Sequence, residues 1–197
     1  DADDAWLPHK LERQSPFFAD ERAGIVHCHI VNVPERFLYD GEMTFDRLWR
    51  QNMIGTSTAV IRKTMWEQLG GFVEDRTLIG AEDYNFWLRA AAAGWRIALC
   101  PEELTQYTPA AFSLSSQIER VLRGELLNAE LIAAAANLPP NQLRAKQAAI
   151  HREYGEGLLH QRDMPAARRS LSTALRLQPS LRTALQLTST FAPARLL

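Results

Sequence analysis

The sequence predicts an α/β fold that is followed by an α-helical tail. β-Branched stretches bounded by glycine and proline, such as residues 24–33, are typical of strands. Residues 82–94 repeat apolar side chains at the helical period between two acidic residues and a glycine, which is the pattern of a capped helix. Beyond residue 113 only helical patterns remain. Strands and helices that alternate in the first part of a chain indicate an α/β domain.

The composition is that of an ordinary globular protein, and it excludes several classes. Of the 197 residues, 46% are hydrophobic and 23% are charged. A net charge of −1 excludes a generally basic nucleic-acid-binding protein, so we expect no nucleic-acid partner. No apolar run approaches the roughly 18 residues of a membrane span, so we expect no transmembrane segment. Two cysteines, Cys28 and Cys100, are too few for a disulfide framework and are typical of a reducing compartment.

Charge and tryptophan content divide the chain into two parts. Residues 1–112 carry 11 basic and 17 acidic side chains, a net charge of −6, and all five tryptophans. Residues 113–197 carry 11 basic and 6 acidic side chains, a net charge of +5, and are rich in Ala, Leu and Arg. We therefore predict one domain over residues 1–112 and a helical region over residues 113–197.

Local patterns predict the elements of the first domain. Pro8 suits the start of a short helix, Thr64 is a possible N-cap, and Gly70 and Gly94 are typical of helix ends. The predicted elements are, in chain order, helix 9–15, strand 24–33, helix 45–52, strand 55–62, a short helix from Thr64 to Gly70, helix 82–94, and strand 95–100, which Pro101 is expected to stop.

The second part reads as consecutive helices. Apolar spacing predicts one helix over 117–137 and another over 142–159, separated by two prolines. Residues 148–181 resemble one tetratricopeptide unit, with a turn at 161–163, although Arg162 stands where that motif usually has glycine. A single unit cannot bury its own faces. We therefore expect it either to bind a protein partner or a second copy of the chain, or only to cover apolar surface within this chain.

Three carboxylates crowd the first four residues. In an extended segment Asp1 and Asp3 project from the same face. Two close carboxylates repel one another, and a divalent cation with a preference for hard oxygen ligands, Mg²⁺ or Mn²⁺, relieves that repulsion. From these four residues alone, a solvated acidic turn before a helix is the simpler interpretation.

Glu82 and Asp83 form a second acidic pair, at the start of a predicted helix. Acidic residues there complement the helix dipole, which is the simpler interpretation. A carboxylate held in a cleft can also act as a general base that takes a proton from an incoming hydroxyl, and a neighbouring acid raises its pKa towards that use. Neither acidic pair alone shows whether its carboxylates have a functional role.

Three blocks in order resemble the second half of a family-two glycosyltransferase with the GT-A fold. The likeness covers about residues 1–116. DADDAWLPHKLERQ, from residue 1, is similar to the DxD segment of that family. NMIGTSTAVIRKTMWEQLGGF, from residue 52, is similar to the strand, helix and Gly-Gly-Phe turn that follow it, and GAEDYNFWLRAAAAG, from residue 80, is similar to the Glu-Asp motif with its helix.

The resemblance implies an activity and a metal. The activity is inverting, metal-dependent transfer of a sugar from a nucleotide-sugar to an acceptor hydroxyl, in the synthesis of a bacterial polysaccharide or glycoconjugate. Asp1 and Asp3 would hold Mn²⁺ or Mg²⁺ and with it the nucleotide-sugar, Asp3 being preferred as the direct ligand. The acceptor would be a carbohydrate or a lipid-linked molecule, and the expected location is cytoplasmic or peripheral at the inner face of the plasma membrane.

The resemblance also implies roles on the acceptor side. Asp83 would be the catalytic base, and Glu82 would position it or bind the acceptor. Gly55, Thr56 and Ser57 would line the acceptor side of the cleft. Trp87 is a candidate for stacking on a sugar, although a tryptophan on a helix face is more often part of the core.

Two departures from the family pattern bear on activity. The nucleotide-binding half should precede the DxD segment, so we expect this chain to be a piece of a longer protein and to be inactive alone. Thr108 and Ala110 stand where the family often has an Arg and a His. The alternative to an enzyme is a non-catalytic interaction module that binds its partner through the helical tail.

Overall fold

The computed structural model describes residues 3–32, 41–108 and 118–191. Among these, the residues up to Asp75 and those of 82–108 form one unit. Arg76–Ala81 and the residues from Ile118 onwards form a second unit. The short segment Arg76–Ala81 therefore belongs with the helical tail, although it lies within the predicted first domain. Asp1 and Ala110 are outside the described residues.

The first unit contains a mixed four-stranded sheet. Its strands are β1 (Ala5–Trp6), β2 (Ala23–Ile30), β3 (Val60–Ile61) and β4 (Arg96–Gln106). The strand order is β1-β4-β2-β3, in which β2 and β4 are parallel and the two outer pairs are antiparallel. This sheet confirms the α/β class that the alternating pattern predicted.

The core of the sheet lies along β2 and β4. Val26, Cys28, Ala98 and Cys100 form one buried cluster with Leu104, and Phe17 and Phe18 pack against it. Both cysteines are free thiols, and Cys28 lies opposite Cys100 in the parallel register. They therefore act as small apolar core residues here, as their number suggested.

Pro101 does not stop the last strand, which was the prediction. β4 continues to Gln106, because the register shifts after the Cys28–Cys100 pair and His29 then lies opposite Glu103. Pro101 and Glu102 are the extra residues of this bulge, so the missing N–H of the proline costs no ladder hydrogen bond. The bulge brings the end of β4 beside β1.

The predicted strand over 55–62 is wrong in its first half. Thr56–Thr58 forms a 3₁₀ turn, and only Val60–Ile61 pairs in the sheet. The backbone carbonyl of Gly55 accepts hydrogen bonds from the N–H and the hydroxyl of Thr58, at 2.9 and 2.7 Å. Threonine hydroxyls that bond the local backbone favour turns over strands.

In the described part of this unit, four α-helices accompany the sheet, close to the predicted positions. They are α1 (Lys10–Gln14), α2 (Phe45–Arg50), α3 (Lys63–Leu69) and α4 (Glu82–Ala92). Thr64 lies inside α3 and is not its cap. Arg62 precedes the helix, and its guanidinium binds the carbonyls of Phe18, Asp20 and Ala23. Gly70 ends α3 with a φ of +73°, as predicted.

The second unit is helical. Its α-helices are α5 (Ile118–Ala135), α6 (Pro140–His160), α7 (Met164–Leu177) and α8 (Leu181–Ser189). Arg76–Ala81 packs on α5, where a Cβ at Gly124 would lie 3.2 Å from the carbonyl oxygen of Ile79. No helix in the described part of the chain is long and apolar enough to cross a membrane.

Helices α6 and α7 form a close hairpin. A Cβ at Gly155 would lie 2.7 Å from Cγ of Leu171, so glycine is what permits this approach. Asp163 caps α7 by accepting the N–H of Ala166, and Arg162 turns the chain with a φ of +61°. The helices and the turn occur where they were predicted, whereas the likeness to a tetratricopeptide unit stays a prediction.

Candidate functional site

Asp83 lies at the start of α4 and is bonded to the turn that precedes β3. Its Oδ2 accepts a hydrogen bond of 2.6 Å from the hydroxyl of Thr56, and its Oδ1 accepts the backbone N–H of Tyr84. Burial raises the pKa of this carboxyl above its ordinary value, with a smaller rise from Glu82, while the two hydrogen bonds act in the opposite direction. A carboxylate that is desolvated in this way binds a proton more readily than an exposed one.

A buried polar cluster, formed by Lys10 and Gln14, binds the backbone of the turn Thr56–Thr58. Lys10, only 1% exposed, donates from Nζ to Oε1 of Gln14 at 2.6 Å and to the carbonyl of Thr58 at 3.1 Å. The side-chain amide of Gln14 donates to the same carbonyl and to that of Val26. Burial lowers the pKa of Lys10. The cluster joins α1 to the sheet and positions the turn that carries Thr56.

Trp6 also binds the backbone of this turn. The indole Nε1 of Trp6 donates a hydrogen bond of 2.7 Å to the carbonyl of Ser57. The hydroxyl of Thr105, on β4, lies 3.4 Å from the same carbonyl. Trp6 and Asp83 thus contact two consecutive residues of one turn, Ser57 and Thr56.

The acidic segment at the start of the chain lies beside the end of β4. Asp3 is exposed, and Oδ1 of Asp4 accepts the backbone N–H of Thr108 at 3.0 Å. Among the described residues, no three His, Cys, Asp or Glu side chains gather as a metal site would need. Asp1 is outside the described residues, so the Asp1–Asp3 pair stays a prediction. The donor chemistry is that of hard oxygen ligands, which suits Mg²⁺ or Mn²⁺.

Of the remaining candidate residues, four lie near Asp83 or at the turn bonded to it, and Trp87 lies in the core. Gly55, Thr56 and Ser57 lie together at the turn, and half-buried Glu82 is next to Asp83. Trp87 is 0% exposed and packs edge-on against Phe72 and Phe86. It therefore presents no face to a sugar, and its position is the core position that helix statistics favoured.

Sequence reasoning missed Trp6 and Lys10 as parts of this site. Lys10 follows Trp6 by four residues, and its Nζ lies 4.2 Å from the centre of the Trp6 ring. An aromatic residue followed by a lysine, next to a run of acidic residues, is the only local signal of the pair. Their roles depend on contacts with the turn around Ser57, which lies 51 residues from Trp6 in the chain.

Comparison with known proteins gives one family. The family described as glycosyltransferase like family 2 matches residues 1–124. The matched part includes β1 to β4, the turn at Thr56 and the acidic pair at the start of α4. Neither the curated proteins nor the solved structures give a match.

Proposed function

This chain belongs to the glycosyltransferase like family 2, and from that premise we propose that it transfers a sugar from a nucleotide-sugar to an acceptor hydroxyl, with inversion. Membership of the family suggests glycosyl transfer in general. The inverting course, the metal and the roles of individual residues are parts of this proposal. The substrates proposed are a nucleotide-sugar donor and a carbohydrate or lipid-linked acceptor.

The observation that carries the proposal is the environment of Asp83. Its carboxyl is half-buried, has a raised pKa, and is held by the hydroxyl of Thr56 at 2.6 Å. A general base works best when its pKa approaches the working pH, and burial moves a carboxyl in that direction. Acidic residues that only complement a helix dipole are usually solvated, so the burial of Asp83 favours the catalytic role.

In the proposed reaction, Asp83 takes the proton of the acceptor hydroxyl. The acceptor oxygen forms a bond to the anomeric carbon as the bond from that carbon to the nucleoside diphosphate breaks. The leaving diphosphate takes the electron pair, and attack opposite to it inverts the anomeric centre. The hydroxyl of Thr56 holds the carboxylate in one orientation for this proton transfer.

Asp1 and Asp3 are the proposed holders of a divalent cation. Magnesium and manganese bind readily to one or two carboxylates together with substrate phosphates. Such an ion, when bound, stabilises the charge of a departing diphosphate. Oδ1 of Asp4 accepts the backbone N–H of Thr108, just beyond the end of β4, which orients the segment that contains Asp3.

Sugar transfer by the full-length protein tests this proposal. We expect turnover with a nucleotide-sugar and Mn²⁺, and a loss of roughly 10²–10⁴-fold in kcat for Asp83→Asn. Asp46→Asn is the matched control, because Asp46 is also an aspartate in the first turn of a helix and is exposed. Full activity of Asp83→Asn, or an equal loss in Asp46→Asn, would contradict the proposed base.

A further inference from the structure

Trp6 is a large aromatic side chain that remains exposed, and it contacts the same turn as the proposed base. It lies on β1, at the edge of the sheet, opposite Thr105 of β4. Its exposed fraction is 51%, while Trp49 and Trp87 are 9% and 0% exposed. Trp66, at 37%, packs on Phe72 and Phe86 with ring centres 5.0 and 5.1 Å away.

The indole of Trp6 is exposed and yet held in place. Its N–H is bonded to the carbonyl of Ser57, and the buried ammonium of Lys10 lies over its ring at 4.2 Å. An indole has two faces. Lys10, which is only 1% exposed, lies against one of them. The exposed area of Trp6 therefore belongs to the opposite face and the rim of the ring.

The position of this face relative to Asp83 is set by one turn. Trp6 contacts Ser57, and Asp83 contacts the neighbouring residue Thr56, at 2.7 and 2.6 Å. Neighbouring Cα atoms are about 3.8 Å apart, so the indole N–H and the carboxylate lie within roughly 12 Å of each other. That distance spans one or two sugar rings.

We propose that the exposed face of Trp6 binds a pyranose ring of the acceptor, next to the hydroxyl that Asp83 deprotonates. This inference rests on the proposed function for the role of Asp83. The C–H groups on one side of a pyranose form a flat apolar surface that packs on an indole ring, while the hydroxyls remain at its edge. Because Ser57 and Lys10 already hold the indole, binding orders few further rotatable bonds.

Acceptor kinetics of the full-length protein test the proposal. We expect Trp6→Leu to raise the acceptor KM about tenfold, the effect of losing one aromatic stacking contact. The donor KM should not change, and Trp6→Phe should lie between the two because it keeps a ring. Leu11→Ala is the matched control, since Leu11 is an apolar residue of the same unit that is 53% exposed. An unchanged acceptor KM in Trp6→Leu, or a rise in the donor KM alone, would overturn the proposal.

A binding measurement separates this proposal from the proposed function. The indole N–H signal of Trp6, identified by its absence from the Trp6→Phe spectrum, is followed while methyl β-D-glucopyranoside or N-acetylchitotetraose is added. We expect this signal to shift in the wild type and in Asp83→Asn, because binding does not require the base. Shifts without turnover would contradict the function but support the sugar site. Turnover with no shift of the Trp6 signal at saturating sugar would reject the sugar site alone.

Discussion

The hydroxyl of Thr56 donates a hydrogen bond of 2.6 Å to Oδ2 of Asp83, across 27 positions of the chain. This bond connects the turn before β3 to the first turn of α4. It also opposes the effect of burial on the carboxylate, because a donor stabilises the charged form of an acid. The basicity of Asp83 therefore depends on a residue of another element.

Removal of the Thr56 hydroxyl should change the pH dependence of the reaction. In Thr56→Val the pKa of Asp83 rises further, because burial is then opposed by fewer hydrogen bonds. The acid limb of kcat/KM against pH should move to higher pH. Thr56→Ser keeps a donor and should retain the wild-type limb. A profile that does not move in Thr56→Val would mean that Asp83 is not the group that titrates.

Asp83→Asn should make the protein more stable at neutral pH, although it removes the proposed base. The folded protein holds the Asp83 proton more tightly than the unfolded chain does, so stability falls as pH rises through the range between the ordinary and the raised pKa. A neutral amide avoids that loss. Urea unfolding at pH 7 should show a higher midpoint for the variant, and the advantage should shrink below pH 3.8, the ordinary pKa. Asp46→Asn should show no such gain.

Acid should destabilise the first unit through His27. Burial, with a smaller contribution from His29, lowers the pKa of His27 to about 3. The unfolded chain therefore binds a proton that the folded one excludes, between pH 6.5 and about pH 3. Stability should fall as pH decreases over this range, by at most about 1.4 kcal/mol per pH unit. His27→Gln should flatten this dependence in urea unfolding, and an unchanged dependence in this variant would contradict the prediction.

Arg162→Gly should stabilise the α6–α7 hairpin. Arg162 has a φ of +61°, a left-handed conformation that side chains disfavour and glycine adopts without strain. The gain is reduced by the greater freedom of glycine in the unfolded chain, and we expect a net increase of roughly 0.5–1 kcal/mol. Arg169→Gly, inside α7, should lose about 1 kcal/mol, since there glycine only weakens the helix. Thermal unfolding measures both, and a loss in Arg162→Gly would contradict the observed turn.

Trp87 should behave as a core residue and not as a sugar-binding one. Trp87→Ala leaves a cavity among Phe72 and Phe86 and should cost about 3–5 kcal/mol. Trp87→Phe keeps most of the ring and should cost much less. Acceptor KM in Trp87→Phe should equal that of the wild type. A rise in acceptor KM as large as that of Trp6→Leu would indicate that Trp87 does contact the substrate.

The elements that the sequence predicted correctly are those with local causes. The bounds of α4, α6 and α7 follow from apolar spacing, from acidic residues and prolines at helix starts, and from glycine at helix ends. Two of the incorrect predictions, a strand at Thr56–Thr58 and a strand end at Pro101, failed for one reason. The turn at Thr56–Thr58 depends on a hydrogen bond of the Thr58 hydroxyl, and the continuation of β4 depends on pairing across its bulge. Local propensity describes neither of these interactions.

The sequence by itself determined the α/β class, the helical tail and the acidic residues on which the proposed reaction depends. Only the tertiary structure decided which tryptophan is buried and which is exposed, since Trp87 packs on Phe72 while Trp6 lies at a sheet edge. Only the tertiary structure revealed the hydrogen bonds from Thr56 to Asp83 and from Trp6 to Ser57. Helical period and capping act over a few residues, whereas the burial of a side chain and its pKa are set by residues that are distant in the chain.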